Sequence, residues 1–338
     1  MKLSKHRLLA GTLGMALAAL AASLLSPAAV AEPPASASIA EAAAPEEAAS
    51  VTWTDLDWHD AARGRAVPAR PYRPAGDGPH PLVVFSHGIG GSRAGYSYLG
   101  RHFAQQGIAS LHVQHVGSDR SLWAGNPLTL VARLQGAAQE SEAMHRARDL
   151  SFALDRLLAG PHGAAVDAQR IAVAGHSYGA NTAMLATGAR VVRDGRAIEL
   201  RDARFKAALL LSSPPFYGER DLAAVLRDVS VPSLHVTTTE DVIRIPGYES
   251  PASDRISVFD AFGGERKALA VFAGGSHSVF TDRTGTGGGV SLNMRIKAAT
   301  RELAVAFVRS AFDGGEAPLR EWGQRHRELM ARYAIGGG

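Results

Sequence analysis

The chain has 338 residues, 46% of them hydrophobic, no cysteine and a formal net charge of +4. That length and apolar content suffice for a large buried core, while the lack of thiols excludes disulfides, thiolate metal ligands and a cysteine nucleophile. Three of the positive charges, Lys2, Lys5 and Arg7, precede residue 32 without an acid among them, so the remainder carries only +1, and no run of four basic residues offers a footprint for nucleic acid.

Those three charges lead into an apolar run over residues 8–25, followed by Pro27 and Ala29-Val30-Ala31. Charged region, apolar region and small-residue cleavage site together define a secretory signal peptide, expected over residues 1–31. The run is nearly long enough to persist as a membrane anchor. Its alanine and glycine content and its Ala-x-Ala ending favour cleavage, and export to the periplasm or beyond without a stable membrane anchor. Residues 32–50 are almost wholly Ala, Pro, Ser and Glu, a composition that cannot bury enough apolar area to offset its ordering entropy and that reads as a flexible leader. One folded domain is expected over residues 51–338.

Residues 51–58 alternate as a strand does, and 65–72 form a partner across the turn at 61–64. The continuous apolar run 81–85 is of central-strand type and ends in Ser86-His87-Gly88. From there strands and helices alternate. The spacing predicts a helix over 96–106, a strand over 108–113 and the best helix of the chain over 140–159, with Met144, Ala147, Ser151, Leu154 and Leu158 on its apolar face and Gly160-Pro161 as its stop. Strands follow at 171–174, 205–211, 233–238 and 268–272, then a helix over 292–312. A last amphipathic segment carries Leu319, Trp322, Leu329 and Tyr333 at the spacing of a packed terminal helix. Such alternation implies an α/β fold, a mostly parallel sheet of about eight strands with helices on both faces. Ligands of such sheets bind at the carboxyl ends of the strands, so functional side chains are sought just after a strand.

The 171–174 strand runs into Gly175-His176-Ser177-Tyr178-Gly179, followed by small and aliphatic residues suited to a helix. A serine lifted out on so sharp a strand-to-helix turn brings the two elements too close for side chains two positions before and after it. Serine is a weak nucleophile at its own pKa and needs a base, an oriented acid and two oxyanion donors. Asp241 follows the 233–238 strand and is favoured as the acid over its neighbour Glu240, which alternation sends to the opposite side. His277, in the loop after the 268–272 strand, is the base. His176 points away from the serine it adjoins, His235 lies mid-strand as a core residue, and His112 and His115 form an H-x-x-H pair with no third metal ligand placed beside them. The order Ser177, Asp241, His277 is the chain order of nucleophile, acid and base in this architecture. The oxyanion donors are the main-chain N–H groups of Tyr178, at a helix N-terminus, and of Ile89, in the glycine-rich loop after the 81–85 strand. The stretch 117–138, with Trp123, is long for a connection and is placed to cover the site; Phe216 and Tyr217 follow a strand end and are placed to line a pocket. Both stretches read equally as surface packing.

With these residues in view, the chain resembles the α/β-hydrolase superfamily over residues 51–312. Val83-Val84-Phe85-Ser86-His87-Gly88-Ile89, the 114–119 segment Gln-His-Val-Gly-Ser-Asp, the serine elbow, Thr238-Thr239-Glu240-Asp241 and Gly275-Ser276-His277 are similar to the group labelled predicted dienelactone hydrolases. That group lies close to the platelet-activating-factor acetylhydrolase-like, chlorophyllase-like and polyester-hydrolase branches. The resemblance implies a serine esterase that acts on a small-molecule or lipid-like ester and needs no cofactor or metal. Two departures stand out. Dienelactone hydrolases proper use a cysteine nucleophile, and polyester hydrolases have an aromatic residue where Ile89 stands and often a C-terminal disulfide. Hydrolysis of amides or peptides by the same triad is the second reading of these residues. A non-catalytic binding protein on the same scaffold is the third; such proteins typically lose a triad member, and all three are present here.

Overall fold

Side chains at 82–85, 171–174, 207–211, 233–236 and 268–272 are all buried, a pattern that only strands covered on both faces produce. A computed structural model describes residues 51–336 apart from 77, 194, 220, 246 and 247, so the expected signal peptide and leader lie outside the described residues. The chain opens with strands β1 (Thr52–Trp53), β2 (Leu56–Asp60), β3 (Arg65–Arg73) and β4 (His80–Ser86). Helix α1 (Ser97–Gln105) and strand β5 (Ala109–Val113) follow, then helices α2 (Leu130–Ala137) and α3 (Glu140–Ala159), and strand β6 (Val166–His176). Helix α4 (Tyr178–Thr187) starts directly behind β6 and leads through a hairpin, β7 (Val191–Arg193) and β8 (Arg196–Ile198), to β9 (Ala207–Leu211) and α5 (Leu222–Leu226). Next come β10 (Ser233–Glu240), a second hairpin of β11 (Ile243–Ile245) and β12 (Tyr248–Ser250), helix α6 (Ser253–Ala261) and β13 (Lys267–Ser276). Helices α7 (Val290–Asp313) and α8 (Ala317–Arg325) and strand β14 (Met330–Ile335) complete the described chain.

Eight strands lie in the spatial order β2-β3-β5-β4-β6-β9-β10-β13, the number expected, with β1 added beside β3 and β14 beside β13. The six from β5 to β13 pair parallel; β3 joins β5 antiparallel. Because side chains alternate along a strand, each central strand feeds two apolar layers. Leu82, Val84, Ile171 and Val173 meet Leu150 and Leu154 of α3, Met184 of α4 and Val258 of α6. Val83, Phe85, Ala172 and Phe272 meet Phe103 of α1 and Ile296 and Leu303 of α7. Burying both faces holds the carboxyl ends of β4, β6, β9, β10 and β13 in one fixed row.

Two expectations need correction. Helix α8 stops at Arg325, and Tyr333 lies on β14, which runs antiparallel along β13. The four apolar residues predicted to share a helix do converge: the Tyr333 ring packs at a tilt against Trp322, centroids 5.3 Å apart, and its hydroxyl donates to the Leu319 carbonyl at 2.7 Å. An uncovered β13 would leave a row of main-chain groups unpaired, and pairing it takes precedence over continuing the helix. In α3 the buried stripe is Arg146, Ala147, Asp149, Leu150, Ala153, Leu154 and Leu157, while Met144, Ser151 and Leu158 are only half-buried. The face is rotated because the loops after β4 and β5 supply polar partners for Arg146, Asp149 and Glu142, letting charged residues occupy the inner side.

Trp322 is 2% exposed and its indole N–H donates to the Ala299 carbonyl at 2.9 Å, so it pins α8 to α7. Trp322→Ala is expected to lower unfolding stability by about 3–5 kcal/mol; urea unfolding monitored by circular dichroism checks this, and a change below about 1 kcal/mol would contradict it.

Candidate active site

Ser177 sits between β6 and α4 with φ 55 and ψ −120, a backbone conformation that L-residues rarely adopt and that persists only where the surroundings enforce it. Those surroundings are tight. A Cβ on Gly175 would strike the main chain of Gly179 and Ala180, and one on Gly179 would strike the carbonyls of Ser86 and His87. The serine turn is therefore wedged against the end of β4. Two other non-glycine residues have positive φ among those described, Tyr96 and Ser212, and both are engaged around the same row of strand ends.

The structure brings Ser177, His277 and Asp241 together. The Ser177 Oγ is 2.8 Å from His277 Nε2, and His277 Nδ1 is 2.7 Å from Asp241 Oδ1. A carboxylate can only accept, so Nδ1 carries the proton toward Asp241 and leaves the Nε2 lone pair for the serine hydroxyl. Asp241 is fully buried; its other oxygen accepts from the Thr237 hydroxyl at 2.7 Å, and Arg255 Nη2 lies 3.5 Å from Oδ1. Burial alone would raise its pKa, but the hydrogen bond and charge of His277, followed by the charge of Arg255, outweigh it and hold the carboxyl well below the usual carboxylate range. Glu240, the competing acid, is exposed and pairs across the sheet with Ser276.

Ile89 lies on the loop after β4, 37% exposed, and Tyr178 on the first turn of α4. No acceptor among the described residues meets either main-chain N–H. The Gly88–Ile89 peptide is fixed through its other end: the Gly88 carbonyl accepts from the Gly91 N–H at 3.0 Å and from His87 Nδ1 at 2.7 Å. A trans peptide directs its N–H opposite to its carbonyl, so the Ile89 N–H is aimed by these two bonds. His87 Nε2 in turn accepts from the His115 main-chain N–H at 3.1 Å, which fixes the neutral Nδ1–H tautomer. Burial first, then the charge of Arg146, keeps this ring's pKa well below the ordinary histidine value.

His176, the neighbour of Ser177, engages His277 rather than the serine. Its ring packs 4.9 Å from that of His277, and its Nε2–H donates to the His277 carbonyl at 3.0 Å. With Nε2 protonated, Nδ1 accepts from the Tyr96 hydroxyl at 2.8 Å, and the Tyr96 oxygen accepts from the Gly88 N–H at 3.2 Å. This directed chain ties the loop after β4 to the loop that carries His277. Burial, and then the charge of His277, push the His176 pKa down to about 3. His235 is a core residue edged by Phe259 and Phe262. His112 and His115 engage separate partners, the Gly95 carbonyl for one and Asp149 with Ser86 for the other.

Trp123 lies against the loop after β4, its indole N–H donating to the Gly90 carbonyl at 3.0 Å, and a Cβ on Gly90 would meet the ring. Phe216 packs half-buried against the apolar layer of α3 and α4, whereas Tyr217 is 78% exposed. The Asn181 side chain donates to the Pro214 carbonyl at 2.9 Å, tying this loop to the serine helix. Sequence reasoning did not single out Tyr96, Arg146, Thr237 or Arg255. Arg146 and Asp149 carried one signal, since they share the helical face of Leu150, Ala153 and Leu157 and would be buried on it; Tyr96 and Arg255 carried none.

The strand order, the serine turn and the row of strand ends are those of the α/β-hydrolase fold. A family model described as platelet-activating factor acetylhydrolase, isoform II, matches residues 62–146. Two solved structures share the architecture. A ferulic acid esterase from Streptomyces cinnamoneus superposes with a TM-score of 0.60 at 22% identity, covering 82% of this chain and 94% of that one. A cold-adapted esterase from an Arctic intertidal metagenomic library gives 0.51 at 20% identity, covering 69% and 89%. No curated protein matches the chain.

Among the described residues five histidines are almost wholly buried: His87, His112, His115, His176 and His235. Burial lowers the pKa of each, to about 4 for His112, about 3 for His176 and His235, and well below the ordinary 6.5 for His87 and His115. Between pH 6.5 and 4 the unfolded chain binds protons that the native state refuses, so stability falls as pH falls, by about 1.4 kcal/mol per pH unit for each histidine fully engaged. Urea midpoints measured at pH 7, 6 and 5 should drop progressively; a flat series would contradict the burial of neutral rings.

Proposed function

We propose that the protein is an exported serine hydrolase that cleaves carboxylic esters through an acyl-enzyme. The observation that carries this reading is the unbroken relay from Ser177 through His277 to Asp241, at 2.8 and 2.7 Å, assembled from the ends of three strands. The shared architecture with two esterases and the acetylhydrolase match support an ester as the substrate.

In this mechanism His277 Nε2 takes the Ser177 proton as Oγ attacks the ester carbonyl. The tetrahedral oxyanion is received by the N–H groups of Ile89 and Tyr178, which hold no other partner and so are organised before the charge develops. His277 then delivers the proton to the leaving alcohol, and a water activated by the same ring releases the acid. Asp241 fixes the tautomer and stabilises the imidazolium without taking a proton, a role suited to a carboxyl held well below its usual range. Ile89, Trp123 and Tyr217 are exposed apolar side chains on the loops after β4, β5 and β9; with Phe216 they would flank a small-molecule or lipid-like ester. Residues 51–338 would constitute the hydrolase domain, delivered by a signal peptide that ends at Ala31.

A fluorophosphonate probe should label the wild type and not Ser177→Ala, and p-nitrophenyl esters of short acids should be turned over. A folded wild type that neither labels nor turns over would overturn the reading. Asp241→Asn should cost on the order of 10⁴ in kcat, the size of a tautomer defect, while Glu240→Gln stays near wild type; the reverse order would reassign the acid.

A further inference from the structure

Arg146 is a fully buried cation in helix α3, 0% exposed, and its hydrogen-bond partners are neutral oxygens. Taking a guanidinium out of water with no carboxylate in direct contact is costly, so what it holds needs an explanation. Burial lowers its pKa to about 10, which still leaves it charged at neutral pH.

Its bonds fan out to both halves of the oxyanion hole. Nη2 donates to the Ser86 hydroxyl at 3.1 Å and to the His87 carbonyl, at the root of the loop that presents Ile89. Nη1 donates to the Ser118 hydroxyl at 2.7 Å, and the Ser118 main-chain carbonyl accepts the Gly90 N–H at 2.8 Å, gripping the far side of that loop. Nε donates to the Thr182 hydroxyl at 2.9 Å, which itself donates to the Tyr178 carbonyl at 3.0 Å. The guanidinium carbon also lies 4.4 Å from the centre of the Tyr178 ring, within cation–π range. One rigid, planar fork thus spans two segments that the chain itself connects only through some ninety residues.

Building on the proposed ester hydrolysis, we infer that Arg146 is a positioning residue that holds the Ile89 and Tyr178 amides in register as an oxyanion hole. Both amides must point at one oxygen at the moment it becomes an anion. Hydrogen bonds of that kind lose much of their value with small misalignments. The guanidinium also places a net positive charge behind the hole in a medium of low dielectric, where it favours the same anion. A lysine cannot reproduce the fork. It keeps the charge and abandons most of the ties.

The test is Arg146→Lys and Arg146→Met assayed on p-nitrophenyl acetate, together with the affinity of a boronic acid that mimics the tetrahedral state. Expected are losses of roughly 10–100-fold in kcat with KM within about twofold, a parallel loss of boronate affinity, and a larger effect in Arg146→Met. A brace for the fold alone would lower the melting temperature and leave the kcat and boronate readings unmoved in whatever protein is folded. Should both variants fail to fold, Ser118→Ala removes the Nη1 tie, together with the Ser118 hydroxyl's bond to Glu142, and Thr182→Val removes the Nε tie, and each should lower kcat several-fold at constant KM. Full kcat in a folded Arg146→Lys, or in both single-tie variants, overturns the inference while leaving the ester reading intact. A wild type that is inert toward ester and fluorophosphonate removes both.

Discussion

Helix α4 approaches the end of β4 so closely that hydrogen is the only substituent Gly179 can carry. The rest of the site depends on that approach. It sets the Tyr178 amide beside the loop that presents Ile89, and it forces Ser177 into a backbone conformation that lifts the hydroxyl out of the sheet. A parallel sheet buried on both faces supplies the rigidity, since neither strand can slide without exposing one of the two apolar layers. Strain at one residue is then balanced by a whole core rather than by its neighbours.

Around this contact the polar groups form two braces, one on each face of the sheet. On the face of α3, Arg146 reaches both segments from below. On the face of α1 and α7, the directed chain from the Gly88 N–H through Tyr96 and His176 ends on the His277 carbonyl. Tyr96 has φ 57, a second strained residue whose side chain serves the same row of strand ends. The loop after β4 is thus held from both faces at adjacent peptides, His87 by one brace and Gly88 by the other.

The architecture was legible because central parallel strands announce themselves as unbroken apolar runs, and because glycines two positions either side of a serine have a steric reason to be there. The rule that ligands gather at strand ends selected His277 from thirteen histidines, and strand alternation preferred Asp241 to Glu240; the structure places the His277 and Asp241 side chains in hydrogen-bond contact. What escaped was tertiary in origin. Tyr333 has the spacing of a helix and the environment of an edge strand, because the need to pair β13 is invisible from residues 317–336 alone. Arg146 and Asp149 share a helical face with Leu150, Ala153 and Leu157, but their partners come from the loops after β4 and β5, which lie over that face. Local pattern reports which residues share a face; it does not report what that face meets.

The histidines of the site have a joint consequence. In His87 and His176 both ring nitrogens are committed, each ring donating from one and accepting at the other. Neither can take up or release a proton without breaking one of these bonds. Of the three rings only His277 meets the Ser177 hydroxyl. In the proposed hydrolysis a proton leaving Ser177 would therefore have a single route, through His277.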